Sequence, residues 1–150
     1  MEWRSFEDII ESAKEKETGA FTLYDSAAKI AQNPAAKAMF QELAAQERGH
    51  RAKLENLQKE GIGNKMASEV PDLKIGNYLV EKEFHPDMSY QDILILAMKR
   101  EEKSVSLYLA LERQAVDPEA KELFQFLIEE EKKHKYRLER EYDDVILKEN

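Results

Sequence analysis

Residues 5–57 return as residues 89–141. Displaced by 84 positions, the two segments align without a gap and share 18 of 53 residues, among them Ser5/Ser89, Tyr24/Tyr108, Pro34/Pro118 and His50/His134. A chain that carries one unit twice has its architecture set by that unit, so the unit is read first.

Each copy reads as helix, tight turn, helix. Ser5 with Asp8 and Ser89 with Asp92 have capping-box spacing, which satisfies free N–H groups and favours the positive end of a helix. From Ser5 the apolar residues Phe6, Ile9, Ile10, Ala13, Ala20, Phe21, Tyr24, Ala28 and Ala31 follow a spacing of three and four, the mark of one buried helical stripe. Asn33-Pro34 and Asp117-Pro118 break each hairpin. The residue before proline avoids helical dihedrals, while proline suits the first turn of a new helix. The predicted helices are therefore about 5–32, 34–60, 89–116 and 118–147.

The chain holds only 5 Gly and 4 Pro, too few turn signals for an all-β fold of 150 residues. Three of those glycines (Gly61, Gly63, Gly76) and two prolines (Pro71, Pro86) fall between the hairpins. An up-down bundle needs only about 2–8 residues per connection, so so long a link implies that the chain travels the length of the bundle before the third helix. The expected organisation is one all-α domain over 1–150, with hairpin 5–60, crossover 61–88 and hairpin 89–147. Part of the crossover, around Tyr78 to Phe84, is expected to form a short strand or helical turn. Trp3 with Phe6 is expected to cap the apolar end of the bundle.

Polar residues interrupt the core stripes at matching places. Glu17 lies between Ala13 and Ala20, and Glu47 and His50 lie between Leu43 and Leu54. The second copy repeats this with Glu101 between Ala97 and Val105, and Glu131 and His134 between Leu127 and Leu138. At about 1.5 Å per residue, Glu17 and Glu47 stand about 24 and 21 Å from their shared turn. Each histidine is one turn beyond its Glu on the same face. All six groups should converge near the middle of the bundle.

Four carboxylates in a low-dielectric interior repel one another and lose hydration. Two divalent cations would balance their charge, and two neutral imidazoles would complete a nitrogen and oxygen shell. One Glu from each of two helices plus an E-x-x-H from each of the others is the inward-facing set of di-iron or di-manganese carboxylate bundles. Iron or manganese suits these ligands, with zinc as a further occupant. The alternative is a bundle whose inward acids pair with Lys and Arg.

Composition excludes other chemistries. Cysteine is absent, which removes disulfides, thiolate metal sites and thiol nucleophiles together. A net charge of −8 disfavours nucleic acid and anionic lipid surfaces. The basic run Lys132, Lys133, Lys135 and Arg137 is interleaved with Glu129, Glu130, Glu131 and Glu139 and reads as a solvated helix face. The longest apolar stretch, Ile93 to Met98, is far short of a membrane span, and the opening MEWRSFEDII lacks the basic and apolar regions of a signal peptide. No membrane partner is expected, and the expected location is the cytoplasm.

The sequences EKETGAFTLY and KREEKSVSLY on the first and third helices, with FQELAAQERGH and FQFLIEEEKKH on the second and fourth, resemble the rubrerythrins of the ferritin-like superfamily. The resemblance implies a ferritin-like four-helix bundle built from two repeated hairpins with a long crossover. It implies two iron ions held by Glu17, Glu47, His50, Glu101, Glu131 and His134, with Tyr24 and Tyr108 hydrogen-bonded to ligating carboxylates; ordinary core packing is their alternative role. It also implies reduction of a small oxidant, hydrogen peroxide or dioxygen, with iron binding and oxidation without a separate substrate as the alternative, and a structural metal-binding bundle as a third. Two departures stand out. Typical rubrerythrins add a four-cysteine rubredoxin-like domain, so here electrons are expected from an external donor such as a rubredoxin-like protein. The extra carboxylate one turn after the third-helix ligand is replaced by Ser104, which makes the set more symmetric, closer to that of a bacterioferritin. Rubrerythrin-like proteins commonly pair, so a homodimer is an expectation, though no apolar stripe demands one. His85, beside Pro86 with Glu81 and Glu83 nearby, reads as an ordinary surface histidine.

Overall fold

The computed structural model describes residues 3–4, 6–60, 70–71 and 82–148. Four helices dominate it: α1 (Phe6–Ile30), α2 (Pro34–Lys59), α3 (Tyr90–Gln114) and α4 (Pro118–Glu141). A six-residue π-helix, Tyr142–Leu147, continues α4. A two-residue antiparallel pair joins Trp3–Arg4 to Val70–Pro71, so the start of the chain meets the crossover. Ser5, most of the crossover including 72–81, and the side chains of Trp3 and Phe6 lie outside the described residues. Residues 82–84 form neither strand nor helix.

The helix boundaries follow from local chemistry. Asn33 and Asp117 sit in extended backbone, and each side chain accepts from two N–H groups of the helix that follows: Asn33 from Ala35 at 2.8 Å and Ala36 at 3.4 Å, Asp117 from Glu119 at 2.9 Å and Ala120 at 3.3 Å. Proline after each cap then occupies a position whose N–H has no helical partner. Helices α1 and α3 end about two residues earlier than the sequence predicts. Two non-helical residues are needed to bring the chain round to an extended cap. Ser89 caps α3 as expected, its hydroxyl accepting from the Asp92 N–H at 3.0 Å.

Two apolar clusters fix how the hairpins dock. One gathers Ile9, Ile10, Leu54, Leu57, Leu107, Leu111, Phe124 and Leu127, from the start of α1, the end of α2, the end of α3 and the start of α4. The other gathers Leu23, Ala27, Phe40, Leu43, Ile93, Leu94, Ala97 and Leu138, from the opposite ends of the same helices. Helices α2 and α3 therefore run parallel and begin at the same end, which obliges the crossover to travel the bundle's length. Each hairpin packs tightly within itself, α1 on α2 and α3 on α4, and the hairpins meet through α1 with α3 and α2 with α4. The interval between the two clusters is polar.

Candidate metal centre

That polar interval is supplied by one turn of each helix. Glu17, Glu47, His50, Glu101, Glu131 and His134 are all at most 3% exposed. The stripe logic holds with one adjustment on α3, where the buried face runs Ala97, Glu101, Ser104, Tyr108, Leu111 and Val105 is only partly buried. The two imidazole rings lie nearly parallel with centroids 5.6 Å apart. His50 Nδ1 is 3.1 Å from Glu47 Oε1, 3.1 Å from Glu131 Oε1 and 3.7 Å from Glu17 Oε2. His134 Nδ1 is 3.1 Å from Glu47 Oε1, 3.3 Å from Glu131 Oε1 and 3.5 Å from Glu101 Oε1.

These residues form two overlapping sets, Glu17, Glu47, His50 and Glu131, and Glu47, Glu101, Glu131 and His134. Within each set the donor atoms lie within 4.8 Å of one another. Glu47 and Glu131 belong to both. Each set draws on both hairpins.

Despite the short distances, the central atoms make no hydrogen bond of acceptable geometry. Glu17 Oε2, Glu47 Oε1, His50 Nδ1, Glu101 Oε2, both oxygens of Glu131 and His134 Nδ1 are buried without a partner. Buried polar atoms are normally satisfied, and seven converging orphans on six residues call for an additional group. The donor set is all nitrogen and oxygen, carries up to four negative charges and points inward from four helices. It fits two divalent cations.

Electrostatics without cations argue the same way. Burial, and then the charge of Glu131, raise the Glu17 and Glu101 carboxyls from 4.5 to about 7. Burial also raises Glu47 and Glu131, helped by neighbouring carboxylates. Burial alone would lower His50, but Glu131, Glu17 and Glu47 around it push it up to about 12, and His134 is raised in the same manner by Glu101, Glu131 and Glu47. All six shifts favour proton uptake by the metal-free cluster, a compensation of charge that cations would supply instead.

The tyrosines hydrogen-bond two carboxylates of the cluster and also pack. Tyr24 donates to Glu101 Oε1 at 2.5 Å, and Tyr108 donates to Glu17 Oε1. Each phenol thus holds the carboxylate of the opposite hairpin, while its ring stacks within its own, Tyr24 on Phe40 and Tyr108 on Phe124. Burial and these carboxylates hold both phenols well above their ordinary range, so both remain donors.

Among the other residues singled out from sequence, Ser104 is buried, one turn after Glu101 on the same face of α3. His85 is exposed and belongs to neither set. Lys132 and Lys133 are exposed and lie 3.9 and 3.3 Å from Glu129 and Glu130. Glu130 is partly buried. Three residues near the cluster were not anticipated: Gln46, whose Oε1 accepts from His134 Nε2 at 2.6 Å, and the largely buried cations Lys16 and Arg100. Burial lowers Lys16 to about 8. A detectable signal existed for these two cations, since they are repeat counterparts immediately before Glu17 and Glu101.

A family model described as Rubrerythrin matches residues 8–142. A hypothetical protein from Pyrococcus furiosus is 29% identical and superposes with a TM-score of 0.75, over 93% of this chain and 89% of its own. A Thermotoga maritima protein provisionally described as a ferritin-like diiron-carboxylate protein has a TM-score of 0.79 at 22% identity, over 97% of this chain and 98% of its own, which supports the fold. No curated protein sequence matches closely enough to count as a relative. Among the described residues no helix is long and apolar enough to cross a membrane.

Proposed function

Because this chain belongs to the rubrerythrin family, we propose that its buried cluster holds two iron ions and that the protein is a di-iron oxidoreductase. Its substrate would be hydrogen peroxide or dioxygen, and its electrons would come from an external donor protein of the rubredoxin-like kind. The observation that carries the reading is the convergence of seven unpartnered buried nitrogen and oxygen atoms from four helices. Two iron ions held there would act as Lewis acids and as a two-electron reservoir.

The protein's own contribution is positional. Glu17 and Glu101 would serve as terminal carboxylates, one per metal position, each oriented by a tyrosine from the other hairpin. Glu47 and Glu131 would bridge, and His50 and His134 would add one nitrogen each. The apolar clusters at either end exclude water along the bundle axis. Reduction of hydrogen peroxide to two waters consumes two electrons and two protons. With no cysteine to bind an electron-transfer iron, the chain relies on a partner for the electrons.

Ser104 favours a second reading. It stands where typical rubrerythrins place an additional carboxylate, and without that group the protein would bind and oxidise iron as part of iron handling, with no separate substrate. Stopped-flow mixing of protein loaded with two ferrous ions separates the two. Oxidation far faster with peroxide than with dioxygen supports the first; progressive uptake of many more than two irons per chain supports the second. Anomalous scattering at the iron, manganese and zinc edges, on protein from its own source, identifies the native metal.

A further inference from the structure

The 84-residue repeat gives every residue near the cluster a counterpart, and on the outer side of the two imidazoles the counterparts differ. His134 Nε2–H donates to Gln46 Oε1 at 2.6 Å, leaving Nδ1 toward the carboxylates. The counterpart of Gln46 is Glu130, whose carboxylate accepts instead from Lys133 on its own helix at 3.3 Å. A second set of counterparts differs as well. Glu42 and Arg137, one turn beyond His134, form an ion pair of 3.1 Å between α2 and α4. Their counterparts Phe126 and Lys53 meet as ring and cation, with Nζ 5.0 Å from the ring centroid. Phe126 stands edge-on to His50 at 6.1 Å and keeps 41% of its surface exposed. One imidazole is therefore anchored by an amide, with an ion pair on the next turn of its helix, and the other lies beside a half-exposed ring.

We propose that Gln46 is a positioning residue that fixes His134 with Nδ1 toward the cluster, so that the two metal positions are unequal and the one served by His134 and Glu101 fills first. The position served by His50 and Glu17 is then the weaker and more readily exchanged. A neutral imidazole that binds a metal through Nδ1 must carry its proton on Nε2, and an acceptor already held at that nitrogen selects both the tautomer and the ring plane. Such partners typically change metal affinity by about 10–100-fold. The inference rests on the reading of the six residues as metal ligands.

Titration of metal-free protein with Co2+, followed by the visible absorption of the bound ion and by calorimetry, tests it. Wild-type protein should bind in two steps, the first at least about 10-fold tighter. Gln46→Leu should weaken the first step by about 10-fold or more and leave the second unchanged. Gln46→Glu, which keeps an acceptor, should restore the stepwise pattern, and Phe126→Leu should leave the first step as it was. Nitrogen NMR of zinc-loaded protein adds a readout independent of affinity. The His134 Nε2–H signal should shift in Gln46→Leu and return in Gln46→Glu, with the His50 signals unmoved. Gln46 is only partly buried, so these variants should fold, and thermal unfolding of each checks that they do. Two equal steps in wild-type protein, or a Gln46→Leu variant that leaves the first step intact or weakens both alike, would overturn the inequality alone. Failure of wild-type protein to take up two cobalt ions would overturn the ligand assignment, and this inference with it.

Discussion

Among the described residues, Glu47 and Glu131 stand apart from the other acids because each faces both imidazoles. Replacing either by alanine should lose at least one metal per chain and any peroxide-dependent oxidation, read by metal analysis and stopped-flow absorption. Glu129→Ala should change neither, since that side chain is 68% exposed and a surface charge is usually worth under about 1 kcal/mol. If Glu129→Ala released metal while Glu131→Ala retained two ions, the register of the whole cluster would be wrong. The tyrosines carry a separate prediction. Tyr108→Phe keeps the stacking on Phe124 but leaves Glu17 Oε1 buried without its donor, which should cost about 1–3 kcal/mol of stability in the loaded protein. Thermal unfolding beside the wild type measures it, and a phenylalanine variant as stable as the parent would reduce Tyr108 to a packing residue.

At the level of the helix, the caps and the turns explain why so much could be read in advance. Asn33→Ala should destabilise by about 1 kcal/mol, because two N–H groups at the start of α2 lose their acceptor and the following proline cannot compensate. Gly49 makes the opposite prediction. A Cβ there would meet nothing within 4 Å, so Gly49→Ala should stabilise α2 by about 0.5–1 kcal/mol in denaturant titration, without displacing the neighbouring His50. The positions of the helices, the break at each proline and the convergence of six inward polar groups were legible because period and spacing are local quantities that repeat 84 residues apart. The π-helical continuation of α4 was not. Its residues keep a helical pattern, and the tertiary ties at its start, Tyr90 to Glu141 at 2.7 Å at the end of α4 and Gln91 to Tyr142 at 3.0 Å, join residues 51 positions apart that no local pattern pairs. Gln46 escaped for the same reason, since its partner His134 lies 88 residues away on another helix.

For the molecule as a whole, the cluster makes folding sensitive to pH in a definite direction. Glu17 and Glu101 titrate near 7 in the fold against an ordinary 4.5, and His50 near 12 against 6.5. All three values are raised, so the protons they bind stabilise the metal-free fold fully at low pH. That contribution fades as pH rises, above about 4.5 for the carboxyls and above 6.5 for the imidazole. The melting temperature of chelated protein should therefore fall between pH 5.5 and pH 8. Restoring metal should raise it, and by more at pH 8, because bound cations replace the missing protons and stabilise only the folded state. A chelated protein that melts higher at pH 8, or metal that raises the melting temperature equally at both values, would remove the cluster from that role. The reciprocal tyrosine bonds have a consequence of another kind. Because Tyr24 serves Glu101 and Tyr108 serves Glu17, the arrangement has a two-fold logic in which two identical copies of one hairpin would already complete it. Joining the copies in a single chain lifts the obligation to be identical, and the differences between Gln46 and Glu130, or Glu42 and Phe126, are the specialisation that a duplicated half is free to accumulate.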